Sequence, residues 1–146
     1  MSYDPAKGFP RIMPSLRYHD VGDALQWLSG VYGFTEHLRS VDDAGTILHA
    51  EVRLHDAFVE LSAAPEGSRT PQGEGHSCHT LVVLVDDVDD HFRQARAGGA
   101  QIIAEPEDKP WGLRQYTTQD PGGHRWEFSQ HLRDVPPGEW GARLME

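Results

Sequence analysis

The chain carries the same pattern twice, 67 residues apart. Asp20-Val21-Gly22-Asp23 follows an apolar run and opens an amphipathic segment, and Asp87-Val88-Asp89-Asp90 does the same at the same offset. Near the end of each copy, Phe58-Val59-Glu60-Leu61 answers Arg125-Trp126-Glu127-Phe128, so Glu60 and Glu127 are also 67 apart. An internal repeat means that two equivalent modules must share one core. Half of a 146-residue chain is marginal alone, so the two halves are expected to pack as one α+β domain.

Each module reads as βαβββ. In the first, residues 12–19 form a strand ended by Asp20 as helix N-cap. Ala24, Leu25, Trp27, Leu28 and Val31 then fall at helical spacing over residues 23–32, with Trp27 in the core, and Gly33 stops the helix. Residues 34–41, 46–54 and 57–63 are strands, joined by Asp42-Asp43-Ala44-Gly45 and the short link His55-Asp56. Residues 64–77, rich in Gly, Pro and polar side chains, are a linker. The second module gives strands at 79–85, 101–104, 113–118 and 124–131, with a helix at 88–97 stopped by Gly98-Gly99. A Pro-bearing loop runs through Trp111-Gly112, and Asp120-Pro121-Gly122-Gly123 turns the last hairpin. One domain over 10–132 is therefore expected, made of modules 10–63 and 78–132. A loose arm over 1–10 precedes it, and a tail over 133–146 with Pro136, Pro137 and Trp140 wraps the surface or a partner.

Alternation along strands assigns faces. Leu16, Tyr18, Val59, Leu61, Leu81, Val83 and Val85 suit a helix-covered core. Met13, Ser15, Arg17, Phe58, Glu60, Thr80, Val82, Leu84, Arg125, Glu127 and Ser129 fall on the opposite faces, which would line a cleft between curled sheets. Trp126 goes to the core, opposite Glu127.

Composition excludes several classes. Net charge is −10, with two lysines against eleven arginines, so phosphate-driven nucleic-acid binding is not expected. An acidic surface tolerates a cationic small molecule and also serves solubility alone. No apolar run approaches the ~20 residues of a membrane span, and the first residues lack the order of a signal peptide. Cys78 is the lone cysteine, which fits a reducing cytoplasm.

The paired βαβββ modules, the strand-Asp-helix starts, Tyr32-Gly33-Phe34, and Trp111-Gly112-Leu113-Arg114 followed by Asp120-Pro121-Gly122-Gly123-His124 resemble the vicinal oxygen chelate superfamily. That group includes glyoxalase I, extradiol dioxygenases, fosfomycin-resistance enzymes and bleomycin-resistance binding proteins. The resemblance spans residues 10–132 and implies tandem modules forming a curled mixed sheet around a cleft, helices outside, usually as a homodimer. It is specific for fold and not for activity, because the scaffold hosts many chemistries. In metal-dependent members each module gives one ligand from its first strand and one from its last. Carried over, the last-strand positions are Glu60 and Glu127, and the first-strand positions are Met13 and Thr80, again 67 apart. A thioether suits copper(I) more than a hard divalent ion, and a Thr hydroxyl is a weak ligand. Two carboxylates fall short of the three protein ligands of a catalytic zinc site. His79, next to Thr80, points the other way unless a bulge rotates it in.

Nine histidines (His19, His37, His49, His55, His76, His79, His91, His124 and His131) show no tight ligand spacing on a helix. His76 and His79 read as surface residues and His124 as a structural turn residue. His49, on a strand face with Glu51, is the best remaining contact candidate. Glu60 and Glu127 act as a base, hold a cation, or form structural ion pairs with Arg17 or Arg125. Arg114 and Tyr116 share one face of their strand, and either that face or the Gln115/Thr117 face meets a ligand. Trp140 reads as an anchor or a dimer contact.

The favoured reading is a metal-independent, small-molecule binding protein that sequesters an aromatic or cationic compound such as an antibiotic. Glu60 and Glu127 supply charge, Phe58, Trp111 and Tyr116 supply stacking, and Met13, Arg17, Thr80 and Arg114 complete the contacts. The competing reading is a glyoxalase-like lyase or dioxygenase in which a divalent metal polarises vicinal oxygens.

Overall fold

Asp20 and Asp87 do the same work in the two repeats. Each sits in extended backbone before a helix, and its carboxylate accepts a hydrogen bond from the amide three residues on, Asp23 at 2.9 Å and Asp90 at 3.0 Å. Satisfying an otherwise orphaned amide fixes where each helix starts. The computed structural model describes residues 10–71 and 77–145. The arm over 1–9, His76 and linker residues 72–76 lie outside the described residues.

The described chain falls into two compact units. One comes from the part up to residue 76 together with Pro121–His124, the other from Ser77–Asp120 and the residues from Arg125 on. The first holds β1 (Ser15–Tyr18), α1 (Val21–Trp27), β2 (Thr35–Val41), β3 (Ile47–Leu54) and β4 (Ala57–Ala63). The second holds β5 (Thr80–Leu84), α2 (Val88–Ala97), β6 (Gln101–Asp108), β7 (Leu113–Gln119) and β8 (Arg125–His131). Both sheets have the same order, β1-β4-β3-β2 and β5-β8-β7-β6. The first strand of each lies parallel to the last and the other pairs are antiparallel, so each is a mixed sheet. Symmetry holds at the level of single residues: Ser15 stands opposite Glu60 and Val82 opposite Glu127, each pair offset by 67.

Packing follows the sequence pattern for most core positions, but Trp27, Leu81 and Val85, expected in the core, are only half-buried. In the first unit Leu16, Tyr18, Val21, Leu25, Leu28, Tyr32, Val52, Val59 and Leu61 are buried. The second unit's core is aromatic: Tyr116, Phe128 and Trp126 are buried and stack in succession, with Trp126 Nε1 donating to Asp120 at 3.0 Å. The indole therefore loses no hydrogen bond on burial.

Several boundaries depart from expectation for local reasons. The first helix runs Val21–Trp27 and then widens into a π turn, Leu28–Tyr32, closed by Gly33 at φ 82°, where a side chain would be strained. β1 joins its ladder only after Pro14, whose carbonyl accepts from the Glu60 amide at 2.8 Å. β6 runs past the expected 104 to Asp108, straight through Pro106. It is the outermost strand, and its register skips between Ala104 and Glu107, so the missing proline N–H disturbs no ladder bond.

Beyond β8 the tail forms a single 3-10 turn, Pro137–Trp140, and Trp140 meets Trp111 at 5.9 Å between ring centroids. Gly112 has φ 90°, and a Cβ there would lie 2.1 Å from the Arg133 carbonyl oxygen. Its own carbonyl accepts from the amides of Leu132 and Arg133. Only glycine allows that approach. Trp140 remains 40% exposed beside Trp111, within its own unit.

Candidate functional site

In the first unit, Glu60 and its neighbours share the sheet face opposite α1. The antiparallel register sets Glu51 of β3 directly across from Glu60, and His49 across from Ser62. Paired residues project to the same side, their Cβ atoms about 5 Å apart. His49 Nε2 lies 3.1 Å from Glu60 Oε1, both side chains about one-third exposed. Glu51 is only 5% exposed, and its Oε2 meets no hydrogen-bond donor among the described residues. Arg17 is exposed on β1 opposite Ser62 and makes no ion pair with Glu60. Met13 is half-buried ahead of β1, and Phe58 is half-buried with its ring edge-on to His37 at 5.2 Å. A separate cavity of about 360 Å³ opens at the start of α1 between His19, Asp20, Gly22, Thr46 and Ile47, and none of the expected site residues lines it.

The second unit repeats the glutamate in different company. Glu127 is half-buried, accepting from Gln115 Nε2 at 3.0 Å and more weakly from Thr117 Oγ1 at 3.5 Å. Gln115 also donates to the buried Ser129 at 2.8 Å. This decides between the two faces of β7: Gln115 and Thr117 look the way of Glu127, while Arg114 and Tyr116 look toward α2.

Tyr116 is 1% exposed, packs on Phe92 and Phe128, and shares a 2.6 Å hydrogen bond with His91 Nδ1. Burial pushes its phenol well above the ordinary tyrosine range. Arg114 is held by Asp108 at 2.9 Å and Asp89 at 3.1 Å, hydrogen bonds that raise its pKa further. These two residues are occupied in structure rather than presented beside Glu127. Thr80 is exposed at the start of β5, opposite Arg125, and His79 is exposed and bonded to Ser77. Trp111 is 40% exposed and leans on Trp140.

Among the described residues the alternative of ion pairs with Arg17 or Arg125 does not hold: Glu60 pairs with His49, and Glu127 accepts hydrogen bonds from Gln115 and Thr117. His124 is buried, its Nε2 2.9 Å from the Arg17 carbonyl oxygen and its ring edge-on to Tyr18, which agrees with a structural turn residue. Glu51 is not among the expected site residues, whereas the Gln115/Thr117 face is one of the two expected for β7. The available signal was the two-residue turn His55-Asp56, which forces Leu54 opposite Ala57 and so Glu51 opposite Glu60.

Two βαβββ modules, each ending in a strand with a central glutamate on its open face, define a class of proteins rather than an activity. The model of the Glyoxalase/Bleomycin resistance protein/Dioxygenase superfamily matches residues 8–128, and the chain belongs to that superfamily. A protein of Mycobacterium bovis is 30% identical over 140 residues, covering 92% of each chain. TioX from Micromonospora sp. ML1 has a similar structure, with TM-score 0.70 and 40% identity over 84% of this chain and 99% of its own. The bleomycin resistance determinant encoded on transposon Tn5 shares the fold, with TM-score 0.65 and 20% identity over 85% and 99% of the two chains.

Members of this superfamily often use a divalent metal. The donors here fit one poorly: the first-strand positions offer a thioether and a hydroxyl, and Glu127 already has two neutral donors. Among the described residues no three His, Cys, Asp or Glu side chains gather in a way that could hold a metal ion. No described helix is long and apolar enough to cross a membrane.

Proposed function

We propose that this chain binds a small aromatic or cationic molecule without a metal and breaks no bond in it, as a sequestering protein does. The donor chemistry at the four repeat-related positions carries this reading: Met13 with Glu60 and Thr80 with Glu127 suit contact with an organic guest better than coordination of a hard cation. In the first unit Glu60 supplies charge, Phe58 an apolar wall, Arg17 a flanking cation and Met13 an adaptable contact. In the second, Glu127, Thr80 and the exposed Trp111 are the contacts on offer. Arg114 and Tyr116 are left out because α2 engages both.

The fold shared with a bleomycin resistance determinant makes a cationic aromatic antibiotic the first ligand to try. Tryptophan fluorescence is titrated with a panel of such compounds in the presence of a chelator. Saturable quenching unaffected by the chelator is expected. Failure across a broad panel, or one divalent ion per chain lost on Glu60→Gln or Glu127→Gln, would overturn the reading in favour of a metal-dependent lyase or dioxygenase.

The protein is further proposed to act as a cytoplasmic homodimer. Supporting this are the lone exposed Cys78 and the bare apolar side chains of Val82 and Leu84, 58% and 61% exposed. Light scattering is expected to give twice the 16.3 kDa chain mass.

A further inference from the structure

On its open face the first sheet sets two carboxylates side by side. Glu51 and Glu60 stand directly across from one another, four carboxylate oxygens in all, and among the described residues the side-chain ion pair they form is that between Glu60 and His49. Glu51 is 95% removed from solvent with its Oε2 unbonded, although an isolated buried carboxylate is among the costliest groups to leave without a donor. Arg53 lies on the same face, opposite Phe58, and Arg17 opposite Ser62, but neither forms an ion pair with Glu51 or Glu60.

The matching positions of the second sheet lack this deficit. There Thr117 stands where Glu51 does and Gln115 where His49 does, and both donate to Glu127. The repeat thus supplies an internal contrast: Glu127 meets two neutral donors, whereas Glu51 keeps an unbonded acceptor, and the unbonded buried atom on the second face is a donor, Arg125 Nε.

We infer that Glu51, Glu60 and His49 form a subsite for the protonated nitrogen of an organic cation, an ammonium or guanidinium, with Glu51 as its floor. An N–H donor group supplies several hydrogen bonds and a charge together, which answers both the missing donor and the paired negative charges. This inference rests on the small-molecule binding reading and narrows it to cations.

Calorimetric titration with tryptamine and its neutral counterpart tryptophol tests it. The unmodified protein is expected to bind tryptamine at least about tenfold more tightly than tryptophol. Glu51→Gln should erase that preference. Glu105→Gln, which removes the same charge from an exposed site on β6, should keep it. Without ligand, Glu51→Gln should raise the melting temperature by about 2–4 °C, because a buried charge lacking a donor is removed.

Equal binding of the two probes, or a preference that survives Glu51→Gln, overturns the inference while small-molecule binding stands. A melting temperature lowered by Glu51→Gln also overturns it, since Glu51 would then be held by a donor in the free protein. Binding of neither probe, nor of any antibiotic in the panel, overturns this inference and the reading beneath it together. Stoichiometric zinc released by Glu51→Gln would replace the organic cation with a metal.

Discussion

The two modules share a backbone plan and differ in how they satisfy it. In the second, Gln115, Thr117 and Ser129 surround Glu127 with neutral groups that donate to it or to one another. In the first, ionisable His49, Glu51 and Glu60 occupy the corresponding places and leave a buried oxygen unbonded. Their cores differ in the same sense, aromatic in one and largely aliphatic in the other. Repetition of a fold therefore does not repeat its chemistry: strand register preserves positions, and side chains at those positions diverge freely as long as the opposite face stays apolar.

The largest test of this contrast is in the cores. Trp126→Ala removes the end of the aromatic stack that rests on Phe128 and leaves Asp120 without the indole donor, so it should cost about 3–5 kcal/mol by denaturant unfolding. A loss under about 1 kcal/mol would show that the stack does not hold the second module together. Next is the polar face: Gln115→Leu should cost about 1–3 kcal/mol, because buried acceptors lose their donor. His49→Leu should cost less, since its partner Glu60 keeps access to water. If the two losses are equal, the proposed difference between the faces is wrong.

The caps should respond alike. Asp20→Ala and Asp87→Ala should each cost about 0.5–2 kcal/mol, and a clear inequality would mean that the modules differ in their helix starts as well. The smallest effect is alkaline. The Tyr116 pKa is raised in the folded state, so its contribution is complete below the ordinary value of 10.0 and is lost as pH rises through the higher folded value. Unfolding titrations should show stability falling above about pH 10 in the unmodified protein and less steeply in Tyr116→Phe.

Much of the fold was legible because both periodicities were clean. Ala57–Ala63 and Val88–Ala97 match their expected bounds, and the burial of Val59, Leu61 and Trp126 follows from alternation alone. The extent of β6 was hidden by Pro106, which reads as a breaker unless the strand is known to be outermost, and strand order is a tertiary fact. The site was half legible. Glu60 and Glu127 came from the repeat, but their partners lie on neighbouring strands, where register decides who meets whom. Arg17 and Arg125 are near the glutamates in their own or adjacent strands, yet Arg17 pairs in register with Ser62 and Arg125 with Thr80 and Gln119. Periodicity alone does not set the face of Tyr116; its hydrogen bond with His91 does.

The outer strands carry a consequence for how this protein behaves when heated or crowded. β2 breaks register near Glu36/Leu38 and again near Ser40/Val41, while β6 skips across Pro106. An interrupted rim makes a poor template for an incoming strand, so fibrillar growth from these sides is disfavoured even where the cores loosen. Straightening the rim with Pro106→Val would restore a flat, bondable border. That change should speed thioflavin-positive aggregation at elevated temperature while leaving the folded sheet intact.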